Sequence, residues 1–370
     1  MKKLQLLLLV QVIFITMNAQ MDVPPSGGNP RAMVSEEVGI TSITIKYGRP
    51  DVNKREGKVF GEGKLVTYGF STTNFITNKN TSPWRAGANE ATTISFEHDV
   101  KVEGKDIKAG TYALFMAMGA DKVTLIFSKE VDAWGSFYYK EEDDVLRVDV
   151  PVASLEKPVE WLKYEFVEHG EKHCRIALQW EKLSVPFRVE VDVDNIVIAR
   201  LREQVTSQKG FNSNNMLQAA QYCLNKNINL EEALQWSIRA ITGFQGQKSF
   251  ITLRNLANAY DKLKRTAEAD STMDEALTIA TANQYTAYGR QLITQKRLDR
   301  AMSVFKASEK RYGDSWGVNN GLMSGYSAQG DFKKALQYAE KALAQAPSEG
   351  AKGILQGQIA KLKEGKDINQ

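Results

Sequence analysis

Between Asn29 and Val193 the apolar positions recur at every second residue, in ITSITIKYGRP, TYALFMAM, VTLIFS, DVLRVDV, WLKYEFVEH, CRIALQW and PFRVEV. Val, Ile, Phe, Tyr and Thr crowd these segments, and Gly, Asp, Asn and Pro separate them, as expected of half-buried strands and their turns. The pattern predicts about eight to eleven short strands. No helical crossover of roughly 10 to 15 residues lies between them, so an antiparallel β-sandwich or jelly roll is expected rather than a parallel sheet. After Asp192 the stretch IVIARLREQV reads as a connecting helix, which puts the domain boundary near residue 195.

From about Asn212 the spacing changes to three and four residues, and alanines mark one face of each helix. The clearest unit is GYSAQGDFKKALQYAEKALAQAP, residues 325–347, with Tyr326, a turn at Gly330, small residues at Ala335 and Ala342, and a closing Pro347. Counterparts of Ala335 stand at Ala233, Ala269 and Ala301, spaced 36, 32 and 34 residues apart. The unit resembles the tetratricopeptide repeat, whose period is about 34 residues. Four helical hairpins and a terminal helix at 349–364 then form a short α-solenoid. The resemblance implies a concave face built from the first helix of each pair and suited to a protein or peptide partner. In register, that face carries Tyr222, Arg254, Asn258, Arg290 and Asn320, with Asn225, Asp261 and Ser324 beside them. Amides can pair with a peptide backbone, and Arg254 with Asn258 one turn later suits a carboxylate.

The chain has 370 residues, 42% apolar and 25% charged, with 9 prolines, which excludes a disordered or collagen-like chain. Its net charge of +4 conceals two unlike halves: residues 200–370 hold 24 basic and 16 acidic side chains, residues 1–199 hold 24 and 28. The basic residues of the second half are scattered among acidic ones and no RNA-stacking motif accompanies them, so nucleic acid is not an expected partner. At the N-terminus Lys2 and Lys3 precede an apolar run from Leu4 to Met17, too short for a comfortable membrane span but suited to a signal peptide cut after Ala19. The expected organisation is a signal peptide at 1–19, a β domain at 20–195 and a helical domain at 196–370. The mature chain is expected to be exported, periplasmic or secreted, without a membrane span. Cys174 and Cys223, one per domain, read as small buried residues rather than as a bridge.

Three segments of the first half carry a further resemblance: KYGRPDVNKREGKVFGEGKLVTYG (46–69), WRAGANEATTISFEHDVKVEGKDIKAGTYALF (84–115) and DVLRVDVPV (144–152). They are similar to the domain-of-unknown-function family numbered 2911, found in exported proteins of Bacteroidetes-type bacteria. The resemblance spans about residues 29–191, and W-R-x-G-A-N-E-A-T is its most specific motif. FSTTNFITNKNTSP, 70–83, is inserted where the family usually joins TYG to WRAGANE. The family brings no catalytic residue set.

Candidate chemistry centres on WRAGANEAT, which places Trp84, Arg85, Asn89, Glu90 and Thr92 within nine residues. An indole beside an arginine, an amide and a carboxylate suits a glycan or small polar ligand. The competing structural reading is an Arg85–Glu90 ion pair pinning a loop beneath Trp84. The histidines, His98, His169 and His173, do not complete a zinc site, and no cofactor is expected. The acidic run at 141–144 lacks the ligand spacing of a calcium loop. No G-x-S-x-G elbow or phosphate-binding loop is present. The sequence therefore points to a non-enzymatic binding or scaffold protein. Alternatives are a carbohydrate-binding protein using Trp84, Trp134 or Trp161, and a hydrolase pairing Glu90 with Asp99 or Glu103.

Overall fold

The computed structural model describes residues 28–72 and 81–369, and the chain divides into two units, Met1–Ala199 and Arg200–Gln370. The expected signal peptide and most of the 70–83 insertion lie outside the described residues.

The first unit runs β1 (Arg31–Val38), β2 (Thr41–Gly48), a short pair β3 (Ser71–Thr72) and β4 (Thr81–Ser82), β5 (Thr93–Phe96), β6 (Val100–Val102), β7 (Lys105–Ile107), β8 (Gly110–Ala117), β9 (Lys122–Ser128), β10 (Asp144–Pro151), β11 (Ala153–His169) and β12 (His173–Val191). They form a six-stranded sheet, β1-β2-β5-β8-β9-β10, and a four-stranded sheet, β11-β12-β6-β7, with all pairs antiparallel. The alternating positions of β2 bury Ile43 and Ile45, and these join Ile94, Leu114, Met116, Phe127, Tyr164, Trp180 and Phe187 in one core.

Two expectations need correcting. CRIALQW and PFRVEV are not separate short strands but parts of the 19-residue β12, which pairs with the 17-residue β11. Register shifts after Ser154, Val159 and Phe166 allow such length, because each bulge bends the ribbon and keeps its apolar face on the core. Pro158 sits on the edge strand β11, where a missing donor is tolerated. The strand TYALFMAM also does not alternate: β8 is buried on both faces from Tyr112 to Met116. A strap of residues 131–143 crosses the outer face of the six-stranded sheet and seals Ala113, Phe115 and Ile126 beneath Tyr139.

Helix α1 (Val193–Val205) leads into the second unit, where α2 (Ser213–Lys226) and α3 (Leu230–Thr242), α4 (Phe250–Lys262) and α5 (Thr266–Leu277), α6 (Ala282–Thr294) and α7 (Leu298–Tyr312), and α8 (Trp316–Ala328) and α9 (Phe332–Ala344) form four hairpins before α10 (Glu349–Lys363). The β domain is thus followed by a tetratricopeptide-type solenoid. Ala233, Ala269, Ala301 and Ala335 are all buried, as close helix contact requires. The four hairpin turns share one feature: Ile228, Arg265, Arg297 and Asp331 each donate N–H to a carbonyl five residues back, and the preceding Asn227, Lys264, Lys296 and Gly330 have φ of 57°, 64°, 62° and 78°. Only Gly330 adopts that left-handed conformation without steric cost.

Candidate functional site

The helical unit contains a groove of about 580 Å³. Its position follows from an irregularity in the stack. Helices α6 and α8 pack directly because Gly289, Gly321 and Gly325 let the Phe305 ring fit between them. Helices α4 and α6 lack such a close contact, and the second and third hairpins are joined instead through Met273, Leu277 and Tyr285 and by ion pairs of Arg297 with Asp270 and of Arg300 with Asp274 at 2.5 Å. The groove opens at that joint.

Of the five residues expected on the concave face, Arg254 and Asn258 line this groove, together with Asn225 and Asp261. Tyr222, half-buried on α2, does not. Arg290 and Asn320 form a separate group, in which Nη2 of Arg290 donates to Oδ1 of Asn320 at 2.8 Å and its Nε to Oγ of Ser324 at 3.1 Å. Burial lowers the Arg290 pKa. The chain's own tail reaches the same helix: Ile368 N–H donates to Oγ of Ser327 at 3.0 Å and the Asn369 amide to the Ser324 carbonyl at 3.0 Å. The α8 end of the inner face is therefore partly covered, and the open groove is confined to α2, α4, α5 and α6. A continuous trough along all four first helices is corrected accordingly.

The groove wall is rich in amides, with Gln221, Asn225, Asn258, Gln291 and Gln295 presenting donors and acceptors. Arg254 is exposed and makes no hydrogen bond or ion pair among the described residues. On the floor, Asp270 holds Arg297 through one carboxylate oxygen while the other is sealed without a partner. Sequence reasoning missed Asp270, Tyr288 and Gln291. Asp270 belongs to a second helix, and no periodicity signals that a splayed joint brings it to the inner face.

In the β unit, WRAGANEAT does not gather its polar groups. Trp84 turns inward, stacked on Trp180 at 6.1 Å and edge-on to Phe60 at 5.9 Å. Arg85 turns to the opposite face, beneath the strap, where its Nη1 donates to the Asn89 carbonyl at 2.7 Å and its guanidinium lies 5.0 Å from the Phe137 ring centre. Glu90 pairs with Arg31, whose Nε donates at 3.0 Å. The anticipated Arg85–Glu90 ion pair is absent from the described contacts, because a strand partner from β1 reaches the carboxylate first. Partial burial opposes charge on Glu90, yet the Arg31 hydrogen bond holds its carboxyl below the usual range.

Trp134 and Trp161 are exposed, unlike Trp84. The carboxylates considered alongside Glu90 have their own partners, Asp99 with Lys108 and Glu103 with the Arg188 N–H. Each histidine is engaged separately, His98 by Thr41, His169 by Glu36 and His173 by Glu168. Among the described residues no group of three or more His, Cys, Asp or Glu is placed to hold a metal ion, and no helix is long and apolar enough to cross a membrane. Cys174 and Cys223 are free and buried, and burial pushes their thiols up to about 12 and about 11.

No curated protein matches the chain. Among solved structures, the hetero-tetramer Cut9–Hcn1 of the APC/C is similar at 15% identity and TM-score 0.32, over 46% of this chain and 34% of that one, so the chain spans about a third of its length. YrrB, described as a TPR protein with an unusual peptide-binding site, is similar at 15% identity and TM-score 0.29, over 46% of this chain and 86% of that one. A tetratricopeptide repeat protein from Parabacteroides merdae ATCC 43184 is similar at 15% identity and TM-score 0.31, over 47% of this chain and 69% of that one. Residues 29–189 match the family model described as protein of unknown function (DUF2911), and residues 254–283 match that of the tetratricopeptide repeat. The chain carries a DUF2911 module followed by tetratricopeptide repeats.

Proposed function

We propose that the protein is an exported, non-enzymatic binding or scaffold protein whose helical repeats hold an extended peptide segment of a partner protein. The observation that carries this reading is the amide-lined groove with the unpaired Arg254 at its edge. A peptide in extended form exposes one N–H and one C=O per residue, and side-chain amides of Asn and Gln satisfy both. Arg254 adds a charge-assisted contact for an acidic side chain or a terminal carboxylate. Export is supported by the Lys2-Lys3 start and the apolar run that follows.

The test is an array of random 12-residue peptides with free C-termini, screened with the full chain and followed by fluorescence anisotropy. Arg254→Glu is expected to weaken the selected peptides about tenfold or more, and Asn258→Ala less, with unfolding midpoints unchanged because Arg254 is exposed and unpaired. If every peptide recovered binds both variants as well as the natural protein, the groove is not the site. N-terminal sequencing of the mature chain should begin at Gln20.

A further inference from the structure

The strap that seals the outer face of the six-stranded sheet also holds a guanidinium in an unusual setting. The strap is anchored at several points. Ala91 N–H donates to the Ala133 carbonyl at 3.1 Å, and the Tyr139 ring packs on Phe115 at 5.5 Å while its hydroxyl donates to Asp144 at 2.6 Å. Between these anchors Gly135 adopts φ +69° and lies flush on Arg85, so that a Cβ there would stand 2.4 Å from Cζ. The Phe137 ring and the Asn89 carbonyl complete the cradle.

One edge of the guanidinium is left over. Nη1 is engaged by Asn89, whereas Nε and Nη2 make no hydrogen bond to the described residues. No carboxylate of the described residues pairs with Arg85, and Glu90, five positions on, is held by Arg31. Burial without a counter-charge lowers the Arg85 pKa, consistent with a cation held at a cost in solvation. Half-buried charges are ordinarily paired, and the Nε–Nη2 edge is one of the two parallel N–H pairs with which arginine grips a planar oxyanion.

We propose that Arg85, cradled by Gly135, Phe137 and the Asn89 carbonyl, is the recognition group of a site for a small carboxylate ligand, bound side-on through Nε and Nη2. One guanidinium supplies a single positive charge, which a carboxylate neutralises and a phosphate dianion exceeds. Trp134 and Tyr138 are the exposed aromatics of the same strap, 47% and 70% accessible, and they favour a ligand whose carboxylate is carried on a ring. Such ligands come as acidic sugars or as aromatic acids.

The test uses the full chain labelled with ¹⁵N, reading the arginine Nε–Hε signals, with that of Arg85 assigned by its loss in Arg85→Lys. The probes are sodium glucuronate, sodium benzoate, their neutral counterparts glucose and benzyl alcohol, and inorganic phosphate. The Arg85 signal is expected to move saturably with one of the two acids and not with its neutral counterpart, and the responding acid tells the sugar source from the aromatic one. Ligand-observed affinity should fall about tenfold or more in Arg85→Lys, which keeps the charge and loses the fork, and stay the same in Arg200→Ala. Should Arg85→Lys fail to fold, Arg85→Gln supplies the assignment instead, and the saturable shift in the natural protein decides. Absence of that shift with both acids, an equal response to the neutral probes, tighter binding of phosphate, or undiminished binding by a folded Arg85→Lys would each overturn the site.

Discussion

Glu90 accepts the Nε hydrogen of Arg31 at 3.0 Å across 59 positions of the chain, and is thereby withheld from Arg85, only five residues before it. Two arginines near one carboxylate therefore have different fates. Arg31, largely exposed, is neutralised at the sheet edge, where such a pair adds little stability. Arg85, half-buried beneath the strap, is left without a counter-charge among the described residues.

Gly135 should be far less replaceable than another left-handed glycine of the same domain. Gly104 has φ +77°, and a Cβ added there would meet nothing within 4 Å, so Gly104→Ala should lose about 1–2 kcal/mol from backbone strain alone. Gly135→Ala should lose about 1–3 kcal/mol more, since the strap or the guanidinium must shift. Urea unfolding of the two variants compares them, and equal losses would show that the contact with Arg85 is slack.

Lys264 and Lys296 stand in the left-handed conformation that Gly330 occupies in the equivalent turn. Both are exposed and neither makes a pairing contact. Lys264→Gly and Lys296→Gly should each stabilise the helical unit by about 0.5–1 kcal/mol, with additive effects in the double variant. Thermal melts provide the check.

Phe305 is the wedge that three glycines accommodate, and it is 1% exposed. Phe305→Ala should cost about 3–5 kcal/mol. Gly289→Ala, normally favourable in a helix interior by about 1 kcal/mol, should instead destabilise, because its Cβ would lie 2.1 Å from the ring. In the Phe305→Ala background the sign should reverse. A double-mutant cycle by urea denaturation reads this directly.

Docking of the tail depends on Asp367. Burial opposes its charge, but donors from Ser327 and Asn369 outweigh that and hold its carboxyl below the usual range. A depressed folded-state pKa means the contribution is complete above the unfolded value of about 3.9 and is lost as pH falls through the folded value. Exchange protection of the Ile368 amide should therefore be constant near neutral pH and disappear in acid, and Asp367→Asn should flatten that dependence.

Much of the architecture is legible because it is local. The change from period two to period 3.6 separates the strands from the helices, and four alanines about 34 residues apart announce the hairpins. Pairing register is not local, which is why β12 reads as two short strands until its bulged partner β11 is in place. The groove is legible only in part. Arg254 and Asn258 follow from repeat register, whereas Asp270 is delivered by a widened joint between the second and third hairpins, which no local pattern announces.

Sequence periodicity by itself determined two modules, their order and the polar character of the inner helical face, since each of these depends on residues within a few turns of one another. Tertiary structure alone decided that Trp84 packs inward while Arg85 faces the strap, and that Glu90 meets Arg31. Neighbouring residues on an extended chain point to opposite sides, and an ion pair goes to whichever partner the sheet brings within reach.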